Sequence, residues 1–157
     1  MRKKKIIRSK IHLLKPGREE ERIIIQLTNQ IMRNGEKRKA TKIIHQVAQI
    51  IEKNTSSPFL TILNGALENV KPSLETRSRR IGGSNQRIPV KVEEKRAVTL
   101  GLRSMVEGAR EKKNSKSMFE NLAEEISNAY NKTGEAWKKK ENIHKEAMAN
   151  MAFANIK

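Results

Sequence analysis

Apolar residues recur along most of this chain at the three- and four-residue spacing that lines one side of a helix. From Glu19 to Arg33, Ile23, Leu27 and Ile31 form a stripe with Ile24 beside it, and Asn34-Gly35 supplies a C-terminal stop. Glu19, Glu20 and Glu21 suit the positive end of that helix. A second pattern over Glu36 to Lys53 carries Ile43, Val47, Ile50 and Ile51 as its core stripe, flanked by Ala40, Ile44 and Ala48. Ser57 can cap a third helix with Pro58 at its first position. Phe59, Ile62, Leu63, Ala66, Leu67 and Val70 give it a strong apolar face, which Lys71-Pro72 ends. Glu93-Glu94 opens a fourth helix reaching about Lys112, with Val98, Leu102, Met105, Val106 and Ala109 inward. Ser117 to Glu120 reads as a capping box before a fifth helix bearing Phe119, Leu122, Ala123, Ile126, Ala129 and Tyr130. Thr133 can cap a sixth helix that continues toward Phe153. Its Ala147, Ala149, Ala152 and Ala154 permit close approach, while Met148, Met151 and Phe153 fit either core or partner contacts.

The helical rhythm breaks once, between Val70 and Arg96. Ile88, Val90 and Val92 alternate with Arg87, Pro89 and Lys91, which is the period of a strand. Gly82-Gly83 permits the positive φ angles of a tight hairpin, and Pro89 confines its strand to an edge. A ribbon carrying Arg77, Arg79, Arg80, Arg87 and Lys91 is too charged for a core, because each unpaired buried charge is costly. The pattern therefore predicts a mainly α fold: a six-helix bundle with one protruding two-stranded antiparallel β-hairpin arm at about 73–92. Residues 1–18 form a basic N-terminal arm and 19–157 a single helical domain.

Charge changes this picture most. Thirty-four Lys and Arg stand against 17 Asp and Glu, for a formal net charge of +17. Self-repulsion on that scale calls for a polyanionic partner, nucleic acid first and an anionic membrane surface second. No apolar run approaches the roughly 18 residues of a spanning helix. Aromatics make up only 3% of the chain, which undersupplies a base-stacking surface and favours contact with the backbone of folded nucleic acid. The absence of Cys excludes disulfides and thiolate metal sites. Eight Lys and Arg and no acid occupy Met1 to Arg18, Lys-dominated unlike an Arg- and Ser-rich presequence.

Catalytic signatures are missing. The chain has no phosphate-binding Gly loop, no His-x-x-x-His or Cys-x-x-Cys spacing and no nucleophile–base pair. His12, His45 and His144 lie in separate segments, and His45 reads as a helix flank rather than a ligand. The acids mostly neighbour bases, as on solvated helix faces. No enzyme, cofactor or metal site is expected.

Three stretches together resemble one family. Leu67 to Pro72, then Arg77-Ser78-Arg79-Arg80-Ile81-Gly82-Gly83 and Ile88-Pro89-Val90-Lys91-Val92, are similar to the arm of small-subunit ribosomal protein seven in its bacterial and organellar form. Ala97 to Arg110, with Leu100-Gly101-Leu102-Arg103, resembles its fourth helix. Lys138 to Glu141, His144-Lys145, Ala149-Asn150 and Ala152 to Ala154 resemble its closing motif, and Asn34 to Arg38 the loop after its first helix. The resemblance implies a structural ribosomal component that binds the head (3′ major) domain of small-subunit rRNA and helps nucleate head assembly. It also implies an arm near exit-site tRNA and the mRNA exit path, with ribosomal protein eleven as a neighbour and no membrane partner.

On this reading the rRNA-binding residues are Arg2, Lys3, Lys4, Lys5, Arg8, Lys10, Lys37, Arg38, Lys39, Lys42, Lys71, Arg77, Arg79, Arg80, Lys91, Arg96, Arg103 and Arg110. The part of the arm near tRNA and mRNA is Arg79, Arg80, Gly82, Gly83, Ser84, Asn85, Gln86 and Arg87. Lys138, Lys139, Lys140, His144, Lys145 and Phe153 are assigned to RNA or protein contacts at the C-terminus. Two departures stand out: Gln86-Arg87 where the family has an aromatic before a Gln, and Ser104 where it has a Trp. The first exchanges stacking for phosphate contact; the second removes a large side chain that Met105 or Trp137 partly replaces. Both, with an Ile/Asn/Lys-rich composition, favour an organellar ribosome, the mitochondrial matrix ahead of the plastid, with bacterial cytoplasm as the alternative. The rival function is an architectural DNA-binding protein using the basic β-arm.

Overall fold

The structure, a computed structural model, describes residues 18–112 and 115–154. The expected basic arm lies outside the described residues except for Arg18, which opens the first helix. Six helices and one ribbon follow: α1 Arg18–Ile31, α2 Lys37–Thr55, α3 Phe59–Val70, β1 Leu74–Ile81, β2 Ser84–Lys91, α4 Glu94–Glu111, α5 Met118–Tyr130 and α6 Gly134–Ala149. A short 3-10 turn, Met151–Phe153, closes the described chain against β2. The mainly α architecture with a single antiparallel hairpin is the one the patterning predicts.

Helix α5 is the central element, packed against α2, α3, α4 and α6. Its Leu122 and Ile126 are sealed from solvent, with Phe59 and Leu63 of α3, Leu102 and Met105 of α4, and Val47 and Ile51 of α2. Each such side chain contributes about 1.5–3 kcal/mol through removal from water. All six apolar residues expected on α3 are buried.

Two stripes are rotated from their expected positions. On α1 the buried residues are Ile24, Leu27, Thr28 and Ile31, and Ile23 is only half-buried. Thr28 tolerates burial because its hydroxyl donates to the Ile24 carbonyl at 2.7 Å, so a polar residue does not mark the edge of the stripe. On α2 the expected flank of Ala40, Ile44 and Ala48 is buried with Val47 and Ile51, while Ile43 and Ile50 sit at the rim. The small alanines let the neighbouring helices come close and push the larger isoleucines outward. Along α6 only Ala136 and Ala147 are buried; Ala149, the last helical residue, and Ala152 and Ala154 beyond it are exposed.

Helix ends also differ in detail. Pro58 itself occupies the N-cap of α3, its carbonyl accepting from Thr61 N–H, and Ser57 makes no side-chain cap. Ser117 donates its N–H and hydroxyl to Glu120 at 2.8 and 2.7 Å, the reciprocal arm of the expected box. Thr133 Oγ1 donates to Asn128 O at 3.0 Å rather than capping α6. Fully buried Glu125 takes over instead: its Oε1 accepts from Ala136 N–H at 2.9 Å and its Oε2 lies 3.2 Å from Lys112 Nζ. Gly134, at φ +88°, passes so close to that carboxylate that an added Cβ would sit 2.9 Å from Oε1.

In the arm, β1 and β2 pair from Leu74↔Lys91 to Ile81↔Ser84. Gly82 (φ +55°) and Gly83 (φ +90°) form the two-residue connection, both in the region a type I′ turn demands. Ile88 and Val92 are buried, Val90 is half-buried, and Arg87 and Lys91 are exposed, as the alternation predicts. Both strands lie against α6. Among the described residues no helix is long and apolar enough to cross a membrane, and no group of three His, Asp or Glu could hold a metal ion.

Candidate nucleic-acid interface

The sequence-predicted basic residues divide by what each charge meets. Arg2, Lys3, Lys4, Lys5, Arg8 and Lys10 lie outside the described residues. Lys37, Arg38 and Lys42 crowd the start of α2, just past the Asn34-Gly35 turn, where both residues have positive φ. All three are exposed and form no ion pair among the described residues; only neighbouring Lys39 is held, by Glu36 at 2.8 Å.

At the hairpin tip Arg79 and Arg80 are likewise exposed, with no acid against them among the described residues. Successive residues of a strand face opposite ways, so this pair presents cations on both sides of the ribbon. Gly82, Gly83, Ser84 and Asn85 form the exposed tip itself, and Gln86 Nε2 donates to Ser84 Oγ at 3.1 Å. Lys91 and Lys145 are exposed as well.

Nearer the helical body the cations have partners. Lys71 Nζ sits 2.8 Å from both Glu68 and Glu94, whose hydrogen bonds raise its pKa. Arg77 and Arg96 share Glu75, and Arg87 pairs with Glu146 of α6. Arg87, expected to strengthen the arm's phosphate contacts, thus ties β2 to the body. Arg103 pairs with Glu107 at 2.8 Å, Lys138 with Glu135 at 2.8 Å, and Lys139 with Glu111 at 2.8 Å and Glu107 at 3.5 Å. Arg110 Nη2 donates to the terminal carbonyls of α1, Gln30 O at 3.1 Å and Ile31 O at 3.0 Å, where a cation also complements the helix dipole.

Two C-terminal residues expected to meet RNA or protein serve as internal clamps. Lys140 Nζ donates to Asn69 O at 2.6 Å and lies 4.5 Å from the centroid of the Trp137 ring. Burial lowers its pKa. His144 Nε2 accepts from Ser73 N–H at 3.1 Å, at the hinge where α3 passes into the arm. A backbone N–H can only donate, so that nitrogen carries no proton, and burial followed by the charge of Lys140 holds the His144 pKa below its ordinary value. Phe153 is half-buried in the terminal turn.

Sequence reasoning missed the two buried acids, Glu75 and Glu125, by reading acids as solvated faces. One signal was present: position 125 falls in the apolar series 122, 126, 129 on a single side of α5. His45, read as a flank, is half-buried with its Nε2 3.3 Å from Gln49 Nε2. Ser104 is half-buried, and Met105 fills the core beside it.

The geometry defines a class: a helical body that neutralises its own cations near the core and presents others on a projecting ribbon and a helix start. Comparison with known proteins makes the class specific. Residues 1–151 match the family model described as ribosomal protein S7p/S5e. The chain is 45% identical over 137 residues to small ribosomal subunit protein uS7 of Fervidobacterium nodosum, covering 87% of this chain and 88% of that one. It is 46% identical over 135 residues to the uS7 of Thermotoga maritima, covering 86% of each chain. With the uS7 of Malacoplasma penetrans it shares 46% over 136 residues, covering 87% of each. The chain belongs to the S7p/S5e family of ribosomal proteins.

Proposed function

We propose that this chain is a non-enzymatic structural component of the small ribosomal subunit that holds the head domain of its rRNA and helps nucleate head assembly. Family membership over nearly the whole chain carries this reading, and the net charge of +17 fits it. Binding runs through phosphates and sugars rather than base edges, since A-form RNA hides its major-groove edges from side chains. The contact surfaces are the basic N-terminal arm (1–18), the Lys37, Arg38 and Lys42 cluster, and the hairpin projecting from the domain at 19–157. Arg79, Arg80, Gly82, Gly83, Ser84, Asn85, Gln86 and Arg87 form the part of the arm near exit-site tRNA and the mRNA path, with ribosomal protein eleven as a neighbour there. What supports an organellar ribosome, mitochondrial before plastid, is the composition and the Gln86, Arg87 and Ser104 departures; the relatives reported above are bacterial, which supports the alternative.

Sedimentation of native lysate tests the class. Co-migration with the small subunit is the expected result, and a free or membrane-bound pool would overturn it. Comparable affinity for duplex DNA and for the head-domain RNA would revive the DNA-binding alternative.

A further inference from the structure

The Glu75 carboxylate is a place where charge arithmetic and geometry point in opposite directions. It is 8% exposed, the one buried acid of the described arm. Arg77, two residues along the same face of β1, donates Nε–H to Oε1 at 2.7 Å. Arg96, from the first turn of α4, donates Nε–H to the same Oε1 at 3.0 Å and to Oε2 at 2.8 Å. Two guanidiniums, one from the arm and one from the body, converge on one oxygen.

Both meet the acid through Nε. A guanidinium is planar with five donors, so engagement of the Nε edge leaves donors on Nη directed elsewhere. The two side chains are 58% and 52% exposed, against 11% for that of Glu75, so the acid lies behind and the guanidiniums in front. We infer that Glu75 is a positioning residue that assembles Arg77 and Arg96 into a single fork for one RNA phosphodiester. The inference rests on the RNA-binding reading above and deepens it.

Three physical points support the fork. Without a shared counter-charge the two cations would repel and splay apart. With it, each long side chain is held in advance, which cuts the rotamer entropy lost when a phosphate arrives. Guanidinium also suits phosphate because its paired donors match two oxygens at once. Burial alone would raise the Glu75 pKa, but hydrogen bonds from Arg96 and Arg77 outweigh it and keep the group ionised at neutral pH. The fork closes only while the arm lies where Arg96 of α4 can reach Glu75, so it couples arm placement to RNA contact.

Glu75→Gln in the full chain separates this role from bulk charge, with a transcript of the rRNA head domain as the probe. Removing a negative charge should tighten binding if only net charge matters. The fork predicts the reverse: affinity falls about tenfold and the log K against log salt slope flattens by roughly one. Arg96→Lys, which keeps the charge and loses the planar donor set, should weaken binding similarly. The double variant should be no worse than either single one. Equal or tighter binding by Glu75→Gln with an unchanged slope would overturn the inference. If Glu75→Gln unfolds, Arg77→Lys and Arg96→Lys carry the test with Glu75 intact, and wild-type affinity in both overturns it. Absence of binding by the wild-type chain overturns instead the RNA reading beneath it.

Discussion

The root and the tip of the hairpin carry the same kinds of residue and treat them in opposite ways. At the root, Lys71, Arg77, Arg96 and Lys140, with Arg87 midway along the ribbon, each meet an acid or a carbonyl of the same chain. At the tip, Arg79 and Arg80 meet none among the described residues. An exposed ion pair is worth only about 0–1 kcal/mol, so the root pairs matter chiefly by geometry: they fix where the arm leaves the body and, at Glu75, how Arg77 and Arg96 are aimed. The tip charges, with Lys37, Arg38 and Lys42, stay available to a partner. Positive charge alone therefore does not say how a residue can meet a partner; the company it keeps inside the fold decides whether it is free, spent or aimed.

The sharpest way to break this contrast is to strip the partnerless set. Replacing Lys37, Arg38, Lys42, Arg79 and Arg80 by Ala should flatten the salt slope of rRNA binding by about 4 if all touch phosphate. Thermal unfolding should barely move, since surface changes of this kind lie within about 0.5 kcal/mol each. Replacing the paired Arg103, Lys138 and Lys139 should alter the slope far less per charge removed, and an equal change per charge would erase the distinction. Next comes Glu125→Ala, which leaves Lys112 only its more exposed partner Glu124 and uncaps α6. It should cost about 3–5 kcal/mol in denaturant unfolding. Lys140→Ala should cost about 1–2 kcal/mol through the lost bond to Asn69 O and the Trp137 contact.

The smallest effect is a pH dependence at the hinge. His144 has a folded-state pKa below 6.5, so the folded protein resists a proton that the unfolded chain accepts. Its contribution is present above the unfolded pKa and is lost as pH falls from there toward the lowered folded value. Melting curves should therefore show the wild type losing more stability than His144→Gln between pH 7.5 and 5.5. Parallel losses would refute the clamp.

Much of this was legible because it depends on neighbours in sequence. The hairpin follows from Gly82-Gly83 and a two-residue alternation, and α3 from an unbroken apolar face ending at Pro72. What escaped the sequence depends on partners far along the chain. Glu75 is buried because Arg96 arrives from another element, and Glu125 because Lys112 does. Lys140 and His144 looked like outward contacts, yet their partners Asn69 and Ser73 lie 71 residues earlier. The rotated stripes of α1 and α2 arise likewise from which neighbouring helices cover them.

A two-stranded ribbon has no interior strand, so each of its strands offers an unpaired margin of backbone donors and acceptors to any other chain. An exposed edge of that kind can template pairing between copies of a chain that has not yet met its partner. Pro89 removes one donor from the β2 margin, and the arginines at the tip make two arms repel when they approach. The same charges that would meet RNA thereby oppose edge-to-edge pairing of two arms while the chain is alone.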